Sequence, residues 1–171
     1  MAQALLREMP RQGLRPNVVT YGAMASLLEK SHEWQHALEL VAEMERESLR
    51  PNVIVFNAII SACEKGHKWQ CSLGLLDEMQ QRCLEPDVIS FNATISSLEK
   101  GHRWQRAAQL MHAMQQRGIE PTVITCNAMI SAYEKGQQWQ QALGLLETMR
   151  AEGPEPSETS YNAAITACGS R

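Results

Sequence analysis

The sequence predicts an all-α protein, an α-solenoid assembled from two-helix hairpin repeats, and three observations support this prediction. A stretch of the form Glu-Lys-x-x-x-Trp-Gln recurs at a step of 35 residues, beginning at Glu29, Glu64, Glu99 and Glu134. Five prolines keep the same step: Pro16, Pro51, Pro86, Pro121 and Pro156. Each period also contains two apolar stripes with steps of three and four residues, which is the spacing of helices. A fixed period of this length is typical of stacked repeats, in which each unit buries apolar surface only against its neighbours.

The phase of the repeat divides the chain into four full and two partial copies, which together form one solenoid domain. Residues 1–17 match the second helix of a repeat, and residues 158–171 match a first helix. The full repeats occupy residues 18–52, 53–87, 88–122 and 123–157. Positions within a repeat count from its first residue, so that Asn57 is the fifth residue of the second full repeat.

The first helices are expected to start at a capping hydroxyl and to stop at a glycine. Residues 2–12 form a predicted helix that ends at Gly13, since glycine and proline interrupt helices. The N-caps are expected at the third position of each repeat, where Val55 predicts a weaker start. The hydroxyl residues at this position are Thr20, Ser90, Thr125 and Ser160. Gly66, Gly101 and Gly136 are expected to relieve left-handed strain after a helix, which makes Ser31 a less favourable stop.

The second helices each begin at a tryptophan, which opens the apolar stripe. Packing between helices is therefore the favoured role for Trp34, Trp69, Trp104 and Trp139. Gly74 and Gly144 lie inside second helices, where glycine costs about 1 kcal/mol against alanine, and close helix packing is expected there.

Composition and charge exclude several classes of function. The formal net charge is −3, from 16 basic and 19 acidic side chains, which argues against a nonspecific polyanion binder but permits a narrow basic stripe. The five cysteines have no metal or redox spacing and are expected to be small buried hydrophobes in a reducing compartment. No apolar run is long enough to cross a membrane, no cofactor is implied, and no catalytic triad or acid pair points to an enzyme.

His32, His67 and His102 share one position and suggest a metal site. Successive copies of one position lie roughly 10 Å apart when helices stack, which is too far for one ion. A helix-start or surface role is the favoured interpretation.

The sequence resembles a known family, the pentatricopeptide repeat. The pattern Val-Ile-x-Phe-Asn-Ala-x-Ile-Ser, Glu-Lys-Gly, Trp-Gln-x-Ala-Leu-x-Leu-Leu and a closing Pro-Asn or Pro-Asp carries the resemblance, which covers the whole chain. The plain 35-residue type implies a right-handed superhelix that binds single-stranded RNA, one base per repeat. It also implies RNA processing, editing, stability or translation in a mitochondrion or chloroplast, although no targeting segment is visible.

By this resemblance, the fifth and last residues of each repeat select the base. The pairs are Gly22 with Asn52, Asn57 with Asp87, Asn92 with Thr122, and Asn127 with Ser157. Asn with Asp resembles a uracil reader, Asn with Ser a cytosine-leaning reader and Asn with Thr a looser pyrimidine reader. Gly22 has no side chain, so its repeat should discriminate poorly. The expected RNA is therefore pyrimidine-leaning, with capping or interhelix hydrogen bonding as the alternative role for the asparagines.

Two further series complete the expected RNA interface. In the family, second-position residues pack on base faces; here these are Val19, Ile54, Ile89 and Ile124, with ordinary helix-start packing as the alternative. A lysine at the end of the first helix contacts phosphate in the family; here the series is Lys30, Lys65, Lys100 and Lys135. Stabilisation of the helix dipole and pairing with a nearby glutamate are the alternatives for these lysines.

Two other functions stay open. The same concave surface could hold a protein partner, which would make the chain a scaffold, or the chain could be the RNA-binding fragment of a larger RNA-processing enzyme. Apolar surface on the terminal half-repeats predicts some end-to-end self-association.

Overall fold

The computed structural model describes residue 6 and residues 8–169, and within them all regular structure is helical. This confirms the predicted all-α class. Leu6 and Glu8 are helical and a 3₁₀ turn follows at Met9–Gln12, while the rest of the helix predicted for residues 2–12 lies outside the described residues. The α-helices are α1 (Val18–Lys30), α2 (Trp34–Arg46), α3 (Val53–Lys65), α4 (Trp69–Gln81), α5 (Val88–Lys100), α6 (Trp104–Gln116), α7 (Val123–Lys135), α8 (Trp139–Glu152) and α9 (Glu158–Gly169).

The chain forms two compact units, residues 1–85 and 86–171. In the first unit, α1 packs along α3, and the second helices α2 and α4 pack against the first helices of their own hairpins. In the second unit, α5, α7 and α9 form one row, with α6 and α8 packed beside them. Each unit therefore consists of hairpins stacked in register, which is the arrangement of the predicted α-solenoid.

The core of each unit is aliphatic, with a phenylalanine from the fourth position where one is present. Phe56 and Phe91 are fully buried beneath the end of the second helix of their own repeat. The guanidinium carbon of Arg82 lies 6.0 Å from the Phe56 ring centre, and that of Arg117 lies 5.9 Å from the Phe91 ring centre. Small residues allow the second helices to pack closely against the first helices and are completely buried: Ala37, Ser72, Ala107 and Ala142.

The N-caps of the first helices lie three residues before the predicted N-caps. The capping side chain belongs to the last residue of the preceding repeat: Asn17, Asn52, Asp87 or Thr122. The third-position hydroxyls of Thr20, Ser90 and Thr125 accept a hydrogen bond from the backbone N–H of that cap and so close a capping box. Assignment of the third position as the N-cap was wrong because both residues of a capping box are types that can cap a helix, and the sequence pattern alone does not distinguish them.

Among these four first helices, α3 begins with only half of a capping box. The Asn52 side chain accepts from the backbone N–H of Val55 at 3.0 Å, but a valine offers no hydroxyl in return. The weaker start predicted at Val55 is therefore a reduced cap rather than a missing one.

The glycines that follow the first helices are not in the left-handed conformation. Gly66 has φ −80° and Gly136 has φ −84°, both right-handed, as is Ser31 with φ −85°. The left-handed residue is the next one along, with positive φ at His32, His67, His102 and Gln137. The C-cap explanation for these glycines, and the strain expected at Ser31, were therefore wrong.

A tryptophan of the preceding repeat explains Gly66 and Gly136 instead. A Cβ atom at Gly66 would lie 2.4 Å from Cδ1 of Trp34, and one at Gly136 would lie 2.2 Å from Cδ1 of Trp104. The indole ring thus occupies the space that a side chain would need.

Gly74 and Gly144 contradict the close packing expected of them. Both are exposed, and a Cβ atom at either position would meet no atom within 4 Å. The expectation failed because the outer face of a second helix is solvated, so that glycine there serves no contact.

The cysteines divide into buried and accessible thiols. Cys63 and Cys126 are buried as expected, Cys71 and Cys168 are partly buried, and Cys83 is exposed, which contradicts the prediction for that residue. Burial raises the pKa of the Cys63 thiol to about 12, so this cysteine stays protonated at neutral pH. Every helix in the described part of the chain is too short or too polar to cross a lipid bilayer.

Candidate nucleic-acid interface

Asn92, at the fifth position of the third repeat, is joined by hydrogen bonds to the start of α7. Its Nδ2 donates to Oγ1 of Thr122 at 3.2 Å, and its Oδ1 accepts from Oγ1 of Thr125 at 2.5 Å. Thr122 is the last residue of the same repeat, so the two residues that the family pattern pairs are in direct contact. Asn92 and Thr122 are both partly exposed.

Asn127 repeats this arrangement one repeat later. Its Nδ2 donates to Oγ of Ser157 at 3.1 Å, and its Oδ1 accepts from Oγ of Ser160 at 2.5 Å. The hydroxyls of Ser157 and Ser160 are themselves 3.1 Å apart. Each asparagine and two hydroxyls therefore form a closed ring of three hydrogen bonds, and members of such rings polarise one another.

The amides in these rings retain capacity for a further ligand. A side-chain amide has two N–H donors and two acceptor lone pairs on its oxygen. One donor and one lone pair are used within the ring. The remaining donor and lone pair can pair with the edge of a base, so interhelix bonding and base recognition are compatible roles for the same side chain.

Asn57 and Asp87 lie in different compact units and are described separately. Asn57 is 8% exposed and therefore more deeply buried than Asn92 or Asn127. Asp87 caps α5, because its Oδ1 accepts from the backbone N–H groups of Ile89 and Ser90, each at 3.0 Å. The carboxylate accepts only, in contrast to the hydroxyls of Thr122 and Ser157.

Gly22 leaves open space where the other repeats place an amide. A cleft of about 290 Å³ is lined by Gly22, Asn52, Ser26, Val19 and Ile54, among others. A Cβ atom at Gly22 would meet nothing within 4 Å. Asn52 caps α3, so in this repeat the last residue has its cap function but no fifth-position side chain beside it.

The second-position residues form a series of exposed aliphatic side chains. Val19 is 78% exposed, Ile54 67%, Ile89 55% and Ile124 63%. They do not pack into the core, which excludes ordinary helix-start packing as the reason for their apolar character. Each lies three residues before the fifth position on the same helix, and residues with this spacing share a helix face.

Lys65 and Lys135 each form an ion pair with a glutamate of the preceding repeat. Lys65 Nζ lies 3.0 Å from Glu29 Oε1, and Lys135 Nζ lies 2.6 Å from Glu99 Oε1. Ser131 Oγ donates to the same oxygen of Glu99 at 2.9 Å. Both lysines are thus held beside a carboxylate that reduces their positive potential, and Lys30 lies exposed at the end of α1.

Trp34 and Trp104 pack against the following repeat, as favoured from the sequence. Besides its contact with Gly66, the ring of Trp34 lies 4.7 Å from Nζ of Lys68. The ring centres of Trp104 and Tyr133 are 6.0 Å apart with a tilted geometry. His32, His67 and His102 occupy the exposed left-handed turn position. The part of the chain that the structure describes places no three His, Cys, Asp or Glu side chains where they could hold a metal ion.

Residues that sequence reasoning missed complete these contacts. Thr125 and Ser160 were assigned to capping alone, yet each also binds the asparagine 33 residues earlier. Glu29 and Glu99 were not singled out as the partners of the lysines. The 35-residue recurrence of these residue types was visible, but a contact between residues of neighbouring repeats requires the stacking register.

A comparison with family models identifies the repeat. The model described as "Pentatricopeptide repeat domain" matches residues 4–65, 74–136 and 109–171, which together cover most of the chain. The model described as "PPR repeat" matches residues 54–84. No curated protein matches the chain significantly.

Solved structures share the fold at low sequence identity. The pentatricopeptide repeat protein PPR10 from maize superposes with a TM-score of 0.83 at 21% identity, over 96% of this chain and 24% of that one. The same maize protein in complex with an 18-nucleotide psaJ RNA element gives a TM-score of 0.80 at 21% identity and the same coverage. The PPR domain of protein-only RNase P 1 from Arabidopsis thaliana, in complex with tRNA, gives 0.82 at 12% identity, over 98% and 89% of the two chains. The chain therefore spans about a quarter of the length of the maize protein.

Proposed function

The chain belongs to the pentatricopeptide repeat family, and from that premise we propose that it binds single-stranded RNA with one nucleotide per repeat. The observation that carries this proposal is the pair of rings around Asn92 and Asn127. Each presents a partly exposed amide, held in place by the last residue of its repeat. An amide with a free donor and a free lone pair can recognise a base edge by two hydrogen bonds.

The exposed aliphatic series supplies the second part of the proposed interface. A base that pairs with Asn127 comes beside Ile124, one helical turn away on the same face of α7. An exposed isoleucine offers apolar surface to the face of a base. This contact is favourable because the face of an unstacked base is otherwise exposed to water, at a cost in free energy. The proposed site therefore combines edge recognition with face packing, as single-stranded RNA readers generally do.

We propose a preference for pyrimidines, following the pairs of the family pattern. Asn57 with Asp87 is proposed to read uracil, Asn127 with Ser157 cytosine, and Asn92 with Thr122 either pyrimidine. The Gly22 repeat is proposed to contribute little, since its cleft presents no amide beside Asn52. The RNA complexes of the maize and Arabidopsis structures support RNA as the class of ligand.

The role proposed for the protein is that of an adaptor that binds RNA without catalysis and acts in RNA processing, editing, stability or translation. A mitochondrion or plastid is the proposed location, on the resemblance alone. Because the chain spans a small part of the maize protein, a catalytic or effector function of a larger protein remains a separate proposal.

Titration with labelled oligomers across a range of salt tests the proposed function. We expect U/C-rich oligomers to bind more tightly than A/G-rich oligomers, with affinity that falls as salt rises. Affinity should be modest, because base stacking contributes about 1–3 kcal/mol per base and few repeats are present. Absence of binding to every oligomer at low salt would reject the proposal and favour a protein scaffold.

A second candidate function is protein contact through α9. Ile165 is 68% exposed and Tyr161 42% exposed, whereas the matching Ile130 of α7 is fully buried. This apolar face could support self-association or a protein partner. Sedimentation velocity over a range of concentrations tests self-association, which Ile165→Glu should abolish if the face is responsible.

A further inference from the structure

Thr125 and Ser160, each at the third position of its repeat, contact the asparagine of the repeat before their own. Thr125 Oγ1 donates to Oδ1 of Asn92 and accepts from the backbone N–H of Thr122 at 2.9 Å. Ser160 Oγ donates to Oδ1 of Asn127 and accepts from the backbone N–H of Ser157 at 2.9 Å. Thr125 and Ser160 are completely buried, so their hydroxyls have few alternative partners.

The two contacts on each amide fix its plane. The oxygen of Asn92 is held by Thr125 and its nitrogen by Thr122, and both partners stand on the first turn of α7 or its cap. If either contact is missing, the amide can rotate about its last torsion, since that torsion has a broad and shallow energy profile. A rotating amide presents its donor and its acceptor in variable directions to a ligand.

The residue type at the third position of a repeat correlates with the residue type at the fifth position of the repeat before it. A Ser or Thr stands 33 residues after each fifth-position asparagine: Ser90 after Asn57, Thr125 after Asn92, and Ser160 after Asn127. The repeat that has Gly22 instead of asparagine is followed at the same distance by Val55. Capping does not explain this difference, because Asn52 caps α3 and would be completed by a hydroxyl at Val55. The hydroxyl is present where there is an amide to hold.

We propose that Thr125 and Ser160 are positioning residues that set the base selectivity of Asn92 and Asn127. This inference rests on the proposed RNA-binding function and adds a third residue to the two that the family pattern pairs. The hydroxyl acts through the asparagine and does not touch the base. By holding the amide before RNA arrives, it removes the cost of ordering that side chain on binding.

Thr125→Val removes the hydroxyl at nearly constant shape and is the direct test. We expect the ratio of dissociation constants for the preferred and the disfavoured base to fall about fivefold at one nucleotide, the effect of one hydrogen bond. The other nucleotides should keep their preferences. The measurement uses fluorescence anisotropy with a set of oligomers in which each position is changed in turn.

Thr20→Val is the matched control, because Thr20 closes a capping box with Asn17 and makes its described side-chain hydrogen bonds only to that residue. It should lower thermal stability about as much as Thr125→Val and leave every base preference unchanged. An equal loss of selectivity in both variants would mean that the hydroxyl matters only for helix stability, and the inference would be wrong.

A gain-of-function pair tests the same inference if Thr125→Val folds poorly. Gly22→Asn should add weak discrimination at one nucleotide, and Gly22→Asn combined with Val55→Thr should add about fivefold more, again the effect of one hydrogen bond. Equal discrimination by the single and the double variant would overturn the inference.

The outcome also separates this inference from the function on which it rests. If the unchanged protein binds RNA with base preference but Thr125→Val retains that preference, the inference alone falls. If the unchanged protein binds none of the oligomers, the proposed function falls and the inference falls with it.

Discussion

Some residues of this protein are constrained both by their own helix and by a side chain of the preceding repeat, and Gly66 is an example. Gly66 ends α3 with an ordinary right-handed backbone, so glycine is not needed there for conformation. The indole of Trp34 in the preceding repeat covers it, and a side chain would collide with that ring. Because the repeats stack, glycine at this position is required by Trp34, which lies 32 residues earlier in the sequence.

Gly66→Ala should destabilise the protein by about 1–3 kcal/mol, because overpacking forces the indole or the backbone to move. The free energy of unfolding, measured by urea denaturation, checks this expectation. Ser31→Ala at the matching position of the first repeat is the control and should change stability little, since Ser31 is exposed, already has a Cβ atom and loses only a hydrogen bond of 3.3 Å to the Leu28 carbonyl. Equal effects of both substitutions would contradict the role assigned to Trp34.

The existence and type of the helices, the starts of the second helices and the ends of the first helices could be predicted from the sequence, whereas the N-caps of the first helices could not. The stripes of three and four residues, with a tryptophan at the start of each second helix, were sufficient to place the helices. The caps were displaced by three residues because Thr122 and Thr125 are both good N-cap residues, and either choice satisfies the local pattern. Only the backbone geometry distinguishes the cap from the residue that completes the box.

The residues of the candidate site could be predicted from the sequence, but their contacts between repeats could not. The recurrence of Asn92 and Asn127 at one position was visible in the sequence and, with the family resemblance, identified both residues. Their contacts to Thr125 and Ser160 were not predictable, since they depend on how one hairpin sits against the next. The exposure of Ile89 and Ile124 also follows from that register rather than from local propensity.

The second helices contain two positions where stability can be gained. Gly74→Ala and Gly144→Ala should each stabilise the protein by about 1 kcal/mol, because the added methyl group meets no atom and alanine favours the helix. The midpoint of urea denaturation should rise for each variant and rise further when they are combined. A lower midpoint for either variant would indicate a contact at that face that the helix packing does not include.

The charge of the whole molecule determines how strongly any RNA backbone is attracted. The net charge of −3 opposes a polyanion, and the Glu29 and Glu99 carboxylates lie directly beside Lys65 and Lys135. These pairs bridge neighbouring repeats, but partly exposed pairs contribute little to stability. We therefore expect the glutamates to lower the affinity for RNA, so that the proposed recognition depends more on bases than on phosphates.

Glu29→Gln and Glu99→Gln should each tighten RNA binding several-fold at low salt, because each variant leaves one lysine free to contact phosphate. The dependence of the dissociation constant on salt should become steeper. Glu45→Gln is the matched control, since it changes the net charge equally but leaves Arg82 paired with Glu78 and affects no lysine of the series. If the control tightens binding as much, the gain reflects net charge and not the lysines.

The most direct test of the proposed RNA interface is to measure which side-chain NMR signals shift when RNA binds. A titration of isotope-labelled protein with a U/C-rich oligomer, followed by NMR, reports the side-chain amides and the isoleucine methyl groups in one experiment. We predict that the largest shifts occur at the amides of Asn92 and Asn127 and at the methyl groups of Ile89 and Ile124. Shifts confined to the second helices or to Tyr161 and Ile165 of α9, with these four residues unchanged, would contradict it.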